Sequence, residues 1–296
     1  MNLDKTPSSR HGAGSPDELV IITVASGKGG TGKTTIATSL ARSLNDPVLL
    51  LDCDVEEPNA HLFLQPMLAA SRPVYKQIPE IDPAQCTYCG KCAEICAYNA
   101  LAVIKEKVLV FHELCHGCGG CTLLCPEGAI REVGREIGVI EHGYAEYVEF
   151  VHGKLHVGEA MAGPVIKAVK EQHKTQSLVI IDAPPGTSCS VVGTLMGSDA
   201  GILVTEPTPF GLNDLRLAVA MIRELHIPFG VVINRADIGD ESVTTYCQEE
   251  GIPILMQIPD DRRIAEAYSR GQMIVDVLPG YREQFQRLLQ KVMNLS

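Results

Sequence analysis

The chain has 296 residues, 45% of them hydrophobic, and its 36 acidic and 25 basic side chains give a formal net charge of −11. This length predicts two domains, and the hydrophobic content excludes a disordered chain. The acidic balance argues against a nucleic-acid partner, and no apolar run reaches the roughly 18 residues of a membrane span. Residues 1–18 contain no apolar signal segment, so we expect a flexible tail there and a cytoplasmic location.

Short apolar runs alternate with helix-length amphipathic segments along most of the chain. The predicted strands are, in order, 19–25, 48–52, 178–182, 201–205 and 229–234. The predicted helices are 33–44, 212–225 and 262–270. Because buried parallel strands are continuously apolar and are connected by helices, this pattern predicts an α/β fold. We expect a mostly parallel sheet covered by helices on both faces.

A segment rich in cysteine and glycine, from Asp82 to about Val133, interrupts this alternation. It contains an internal repeat at an offset of 29 residues, in which CTYCGKCAEICAYNAL from Cys86 matches CHGCGGCTLLCPEGAI from Cys115. The repeat predicts a small domain with internal two-fold symmetry.

The main domain is therefore expected to be discontinuous. We predict that it comprises 19–72 and 136–296, with the cysteine-rich domain inserted at 73–135. Polar and apolar residues alternate over 137–157, which predicts a hairpin that leads back into the main domain.

A glycine-rich motif lies between the first predicted strand and the helix that follows it. It satisfies G-x-x-x-x-G-K-[ST], and with one further threonine it comprises Gly27, Lys28, Gly29, Gly30, Thr31, Gly32, Lys33, Thr34 and Thr35. The backbone N–H groups of such a loop, together with the helix N-terminus, bind phosphates. Lys33 can reach the β- and γ-phosphates, and the Thr34 hydroxyl can bind Mg²⁺. The alternative, a glycine-rich turn that arose by chance, does not account for the flanking strand and helix.

The second lysine of the loop, Lys28, makes the motif more specific. GKGGTGKTT resembles the deviant Walker A loop of the MinD/ParA/nitrogenase iron-protein superfamily of P-loop ATPases. In that family this lysine reaches across a nucleotide-dependent dimer to the partner's phosphates. Further segments resemble the family's switch I (Asp52, Cys53 and Asp54), its switch II (IIDAPPG) and its nucleotide-side loops (206–208, 234–235 and 258–261). The resemblance covers about 19–65 and 158–296, and it implies ATP and Mg²⁺ as cofactors and a nucleotide-dependent homodimer.

The resemblance also implies roles for single residues in phosphoryl transfer, where positioning and charge neutralisation do most of the catalysis. Lys28 and Lys33 would neutralise charge on the γ-phosphate, and Asp182, with Thr34, would hold Mg²⁺. Asp54 would position or deprotonate the attacking water, and Asn234 would contact adenine. The residues alone leave two alternatives open: a helix cap for the aspartate of switch I and a turn residue at a strand end for the asparagine.

Eight of the eleven cysteines form two copies of the bacterial ferredoxin run C-x2-C-x2-C-x3-C. In such runs the fourth cysteine binds the other cluster, so the spacing predicts two [4Fe–4S] clusters. The expected ligand sets are Cys86, Cys89, Cys92 and Cys125 for one cluster, and Cys115, Cys118, Cys121 and Cys96 for the other. Zinc is the main alternative, but it requires four ligands in two pairs. Ala97 stands where the ferredoxin run usually has proline, a departure that affects local packing and leaves ligation in place.

Three cysteines remain outside the repeat. We expect Cys53 to face the core. Cys189 lies seven residues after Asp182, a spacing that resembles a cysteine binding a bridging cluster in the nitrogenase iron protein. A helix cap or core packing is the favoured alternative for Cys189, and Cys247 is expected to be an ordinary thiol.

The C-terminal stretch has Phe285, Leu288, Leu289 and Val292 at helical spacing. MinD proteins bind membranes through such a helix, but the basic face here is modest. We expect a helix that packs on the sheet.

The nesting of the two motifs resembles MinD-superfamily ATPases that carry an inserted ferredoxin domain. It predicts an enzyme that hydrolyses MgATP at a dimer interface and gates electron transfer from its clusters to a protein redox partner. One alternative is an Mrp-type iron–sulfur carrier that passes a cluster to a client protein. The other is a spatial organiser similar to MinD or ParA.

Overall fold

The structure, a computed structural model, describes residues 19–172 and 177–295, so the expected tail at 1–18 lies outside the described residues. Within these residues it has eleven strands and eleven helices. The strands are β1 (Val20–Ala25), β2 (Val48–Asp52), β3 (Met67–Ile81), β4 (Leu101–Val103), β5 (Val108–Val110), β6 (Ile130–Ala145), β7 (Val148–Leu155), β8 (Leu178–Asp182), β9 (Ala200–Thr205), β10 (Phe229–Asn234) and β11 (Ile254–Ile258). The helices are α1 (Lys33–Ser43), α2 (Ala60–Leu64), α3 (Lys91–Ile95), α4 (Gly120–Leu123), α5 (Gly163–Lys170), α6 (Cys189–Leu195), α7 (Pro209–Glu224), α8 (Ser242–Glu249), α9 (Arg262–Ser269), α10 (Ile274–Val277) and α11 (Gly280–Met293).

Nine strands form one sheet in the order β11-β10-β9-β1-β8-β2-β7-β6-β3. The strands from β11 to β7 are parallel, and β6 and β3 add antiparallel pairings at one edge. Alternate residues of β2 face opposite sides: Leu50 packs in the cluster that contains α1 and α11, whereas Leu49 and Leu51 pack with α5. The predicted α/β fold, with a mostly parallel sheet between two layers of helices, is confirmed.

Most predicted elements agree with the structure to within one residue. Strands β2, β8 and β10 have the predicted bounds, whereas helix α7 begins three residues earlier than predicted. Its N-cap is Thr208, whose side-chain oxygen accepts a hydrogen bond from the backbone N–H of Gly211 at 3.0 Å, and Pro209 follows the cap. A threonine cap before a proline is a favourable helix start, which explains the earlier beginning.

Two further predictions concern the ends of the main domain. Strands β6 and β7 pair as a hairpin up to Ala145 and Val148, which confirms the predicted return into the sheet. Phe285, Leu288 and Val292 of α11 are buried in the core cluster that contains α1, which confirms a packed C-terminal helix. No helix within 19–172 and 177–295 is long and apolar enough to cross a membrane.

A two-stranded antiparallel ribbon connects the cysteine-rich segment to the sheet. Strand β3 pairs with β6 along its whole length, from Met67 opposite Tyr144 within the sheet to Ile81 opposite Ile130 at the outer end of the ribbon. The proposed boundaries at 72/73 and 135/136 therefore fall inside two continuous strands.

Two bulges interrupt the pairing of this ribbon. Ala69 on β3 and Ile137 on β6 have no partner on the opposite strand. Because each strand contributes one extra residue, the pairing beyond the second bulge returns to the register that precedes the first.

The two halves of the cysteine repeat have similar local structure. Gly90 and Gly119 are left-handed residues, with φ of 82° and 72°, and each precedes a short helix, α3 or α4. Ala100 and Ala129, which also correspond in the repeat, are both buried. Strands β4 and β5 form a separate small sheet between the halves.

Candidate nucleotide and cluster sites

The glycine-rich loop lies between β1 and α1, as predicted. Gly30 and Gly32 have φ of 78° and 96°, in the left-handed region that favours glycine, and Gly32 is the N-cap of α1. A Cβ on Gly27 would lie 2.2 Å from the backbone oxygen of Asp214 in α7, so glycine is required there. Two of these glycines, Gly30 and Gly32, line a cavity at the start of α1.

The side chains expected to contact phosphate and Mg²⁺ lie close together. Lys33 Nζ is 3.5 Å from Asp54 Oδ2, and both residues are buried. The Thr34 hydroxyl donates a hydrogen bond of 2.6 Å to Asp182 Oδ2, while Asp182 Oδ1 is buried and has no hydrogen-bond partner among the described residues. A hydroxyl and a carboxylate oxygen are the hard ligands that Mg²⁺ prefers, so these residues fit the expected ion.

Buried carboxylates surround this point. Asp52 and Asp182 are register partners on β2 and β8, and neither is exposed. Burial raises the pKa of Asp182 to about 6, against the lowering effects of the Lys33 charge and the Thr34 hydrogen bond. Burial also raises the pKa of Asp52, and the charge of Asp182 adds to the rise. The pKa of Asp54 is raised by burial as well, and the neighbouring Lys33 opposes that rise.

The carboxylate that accepts the N–H groups at the start of α2 is that of Asp52, not that of Asp54. Asp52 Oδ2 accepts the backbone N–H groups of Asn59 and Ala60, both at 3.1 Å, at the start of α2. Its Oδ1 accepts the backbone N–H of Asp54 at 3.0 Å. Asp54 is therefore not the residue that caps α2. Its carboxylate pairs with Lys33 and also interacts with the backbone N–H of Glu57 in the turn that follows.

The raised pKa of Asp182 predicts how stability changes with pH in the protein free of metal and nucleotide. The folded state binds this proton more tightly than the unfolded state, so the contribution of Asp182 to the free energy of unfolding falls as pH rises between about 4 and 6. We expect Asp182→Asn, which keeps an oxygen for Thr34, to raise that free energy by about 1–3 kcal/mol at about pH 8. Thermal unfolding of both proteins should show a smaller gain at about pH 5. A gain that does not change with pH would contradict this origin.

Lys28 is held by a carboxylate of its own chain. Lys28 Nζ lies 3.7 Å from Glu206 Oε2, and Arg235 Nη1 lies 3.1 Å from the other oxygen, Glu206 Oε1. The Lys28 side chain is 34% exposed, so it remains accessible from outside the chain.

A cavity of about 370 Å³ lies beside the loop, and several expected residues line it. These are Gly30, Gly32, Lys33, Thr34, Thr35, Asn234, Arg235, Pro259, Asp260 and Asp261. Asn234 ends β10, and its Nδ2 donates a hydrogen bond of 2.9 Å to the Thr31 carbonyl. Gly27, Lys28, Gly29, Thr31, Asp54 and Asp182 are not among the lining residues.

Sequence reasoning missed part of this cavity. Asn59, Ile264, Ala265, Tyr268 and Ile274 also line it. None belongs to a motif, and only the amphipathic pattern of α9 could have indicated that residues 264–268 face inward.

The repeat cysteines line two pockets, four in each. Cys86, Cys89, Cys92 and Cys125 line the first pocket, and Cys96, Cys115, Cys118 and Cys121 line the second. The fourth cysteine of each run thus lies with the other run, as the expected ligand sets require. No group of three or more His, Cys, Asp or Glu residues within the described ranges is arranged to hold a single metal ion.

The surroundings of these sulfurs fit a polynuclear cluster. All eight cysteines are free thiols. Backbone N–H groups of Ala100 and Gly117 donate to Cys96 Sγ and Cys115 Sγ at 3.3 and 3.5 Å, and such hydrogen bonds tune cluster potentials. Burial raises the pKa of the Cys92 and Cys121 thiols.

The other three cysteines lie apart from both pockets. Cys53 and Cys247 are buried, which confirms the expected core position of Cys53. Cys189 is exposed, so the core-packing form of the favoured alternative is wrong. It lies at the start of α6 as its first residue, directly after the N-cap Ser188.

Comparisons with known proteins identify the family. Residues 22–275 match the family described as the CobQ/CobB/MinD/ParA nucleotide binding domain. An uncharacterized protein of Methanocaldococcus jannaschii is 32% identical over 260 residues, which are 86% of this chain and 91% of the relative. The iron–sulfur cluster carrier protein of Pyrococcus abyssi is 26% identical over 279 residues, which cover 86% of this chain and 78% of the carrier.

A solved structure has the same fold. The septum site-determining protein MinD of Pyrococcus horikoshii, complexed with Mg-ADP, superposes with a TM-score of 0.57 at 19% identity. The alignment covers 93% of this chain and 96% of MinD. The chain belongs to the CobQ/CobB/MinD/ParA family of nucleotide-binding proteins.

Proposed function

We propose that this chain hydrolyses MgATP as a nucleotide-dependent homodimer and couples that switch to electron transfer through two [4Fe–4S] clusters. The clusters would lie in a ferredoxin-like insert at 73–135. One observation carries the proposal: a P-loop cavity and two pockets with four cysteines each lie in one chain, connected by a two-stranded ribbon.

The first part of the proposal, ATP hydrolysis, rests on the contacts of the phosphate loop. Backbone N–H groups of the loop and Lys33 bind the phosphates, and Thr34 and Asp182 hold Mg²⁺. Bound Mg²⁺ neutralises phosphate charge. Lys33 is 3.5 Å from Asp54 in the structure, and a phosphate that attracts Lys33 leaves the Asp54 carboxylate free to accept a proton from water. A carboxylate with a raised pKa is a better base than an ordinary one.

The second part, the nucleotide-dependent dimer, rests on Lys28 and on the family resemblance. Its partner Glu206 lies in the same chain, and the side chain remains partly exposed. In the dimer Lys28 would leave Glu206 for the phosphates of the second subunit, and Asn234 would contact adenine.

The third part, electron transfer, rests on the cysteine pockets. The thiolates hold the clusters, which supply one-electron chemistry when bound. The N–H groups of Ala100 and Gly117 stabilise negative charge on Cys96 and Cys115 and thereby favour the reduced state. A reducing cytoplasm would keep the eight ligand thiols free.

The proposal predicts ATP-stimulated electron delivery. Protein loaded with clusters and reduced should pass electrons to an oxidised viologen dye faster with MgATP than with MgADP. Lys33→Ala should lose this stimulation because the phosphates lose their buried lysine, whereas Lys167→Ala, on the exposed side of α5, should keep it. Stopped-flow absorbance of the dye measures the rate. Full stimulation in Lys33→Ala would refute the coupling.

A second candidate is an iron–sulfur carrier. Relatives from three Pyrococcus species are named iron–sulfur cluster carrier proteins, and Cys89 and Cys118 are exposed at their pockets. A chase of the loaded protein with an apo-ferredoxin decides between the two. Clusters that move to the apo-protein favour the carrier, and clusters that stay favour electron transfer.

A further inference from the structure

A buried group of charges joins the nucleotide-binding domain to the insert. Glu159 lies in the segment between β7 and α5, and only 4% of its side chain is exposed. Glu159 Oε2 lies 3.7 Å from Lys76 Nζ on β3, and Glu159 Oε1 lies 2.7 Å from Arg135 Nη2 on β6. One carboxylate therefore binds a cation from each strand of the ribbon.

The same two cations hold the segment that leads to the second cysteine pocket. Lys76 Nζ donates a hydrogen bond of 3.1 Å to the His112 carbonyl, and Arg135 Nη2 lies 3.7 Å from Glu113 Oε1. Cys115 lies two residues after Glu113. A Cβ on Gly117 would lie 2.8 Å from the backbone oxygen of Gln77, so this segment lies against β3.

In the other direction, Glu159 is connected to switch I. The Leu155 N–H, at the end of β7, donates a hydrogen bond of 2.8 Å to the Val55 carbonyl. Val55 directly follows Asp54, which pairs with Lys33. Three residues, 156–158, therefore separate Leu155, which is bonded to the residue after switch I, from the carboxylate that binds the ribbon.

The energetics of these charges make their positions sensitive to small movements. The Lys76 and Glu159 side chains are 3% and 4% exposed, and in such a poorly hydrated site an ion pair interacts strongly and the loss of one partner leaves buried charge uncompensated. Arg135 and Glu113 lie nearer the surface. Two of the four contacts, at 3.7 Å, are longer than a hydrogen bond of about 2.7–3.2 Å. A displacement of Glu159 by a fraction of an ångström therefore closes or opens its contact with Lys76. Through Arg135, which Glu159 also binds, the same displacement shifts the contact with Glu113.

We propose that Glu159 is a positioning residue that transmits the nucleotide state of switch I to the second cysteine pocket. The proposal rests on the proposed function for its biological sense. It assigns two arrangements to this group of charges, one for each nucleotide state. Because the group does not contact the first cysteine pocket, that pocket should respond less to nucleotide than the second.

Hydrogen–deuterium exchange of the cluster-loaded protein tests this directly. In the wild type, exchange of segment 112–118 should differ between MgADP and a non-hydrolysable MgATP analogue. In Glu159→Gln, which removes the charge and keeps the shape, that difference should disappear while ATP hydrolysis persists. The electron paramagnetic resonance signal of the second cluster should likewise lose its nucleotide dependence.

Matched variants make the outcome decisive. Lys76→Met should reproduce the loss, and it decides the matter if Glu159→Gln does not fold. Glu250→Gln, which breaks the Arg223–Glu250 pair between α7 and α8, should keep the wild-type response. A wild-type segment that does not respond to nucleotide, a response that survives in both Glu159→Gln and Lys76→Met, or an equal loss in Glu250→Gln would each overturn the proposal. Failed electron delivery with an intact exchange response would refute the proposed function alone.

Discussion

Replacing Asp54 by asparagine is expected to slow ATP hydrolysis by about 10²–10⁴-fold while MgATP still binds. Asp54 is buried next to Lys33, and its carboxylate is the group available to accept a proton from an attacking water. Asparagine keeps the shape of the side chain but cannot act as a base. Single-turnover hydrolysis measures the chemical step, and equilibrium titration with a fluorescent ATP analogue measures binding.

Glu56→Gln is the matched control for this variant. Glu56 is an exposed carboxylate in the same loop, so its loss should leave hydrolysis nearly unchanged. Wild-type hydrolysis in Asp54→Asn would show that the proton passes to another group. Loss of ATP binding would show that the residue shapes the cavity and does not take part in the chemistry.

Paired cysteine variants are expected to show that the two cysteine runs exchange their fourth ligands. If each variant removes a cluster, Cys86→Ser with Cys125→Ser should leave about four iron atoms per chain, because both cysteines line the first pocket. Cys118→Ser with Cys125→Ser should leave almost none, because these cysteines line different pockets. Iron analysis of anaerobically reconstituted protein gives the count.

The opposite ranking of the two double variants would show that each run binds its own cluster. Cys189→Ser is the control, since Cys189 lies outside both pockets and is exposed. Its iron content should equal that of the wild type. A lower iron content per dimer in Cys189→Ser would instead indicate that Cys189 binds a cluster that bridges two subunits.

The sheet was predictable where burial is continuous. Strands β2, β8 and β10 are apolar runs that end on Asp52, Asp182 and Asn234, and the sequence shows both the run and the polar residue that ends it. Strand β11 is equally short but has Gln257 within it, and no motif drew attention to it. Local pattern thus predicts strands whose neighbours bury both faces.

The ribbon was not predictable from its own residues. Strand β3 contains Pro73 and Pro79, which argue against a strand in sequence terms. The structure places β3 at the edge of the sheet, where one side of the backbone needs no partner and proline is tolerated. Edge position is a property of the whole topology, so a local pattern does not reveal it.

The candidate sites divide in the same way. Contiguous motifs predicted the phosphate loop and the cysteine sets, because their chemistry depends on short spacings. Asn59 and Tyr268 reach the cavity from distant segments, and Glu159 meets Lys76 only after folding. Such contacts depend on how the elements pack, and that information is not in the spacing of residues along the chain.

The paired bulges of the ribbon set its direction and leave its pairing unchanged. Ala69 and Ile137 have no partner on the opposite strand, so deletion of either residue would leave the pairs on both sides of it in place. Lys76 would therefore still lie opposite Arg135, next to Glu159. A bulge bends its strand and increases the local twist, so the loss of one would turn the outer part of the ribbon relative to the sheet. The two bulges thus determine where the arm carries its cysteine pockets, and a change of one residue at either position would alter that direction without a change in register.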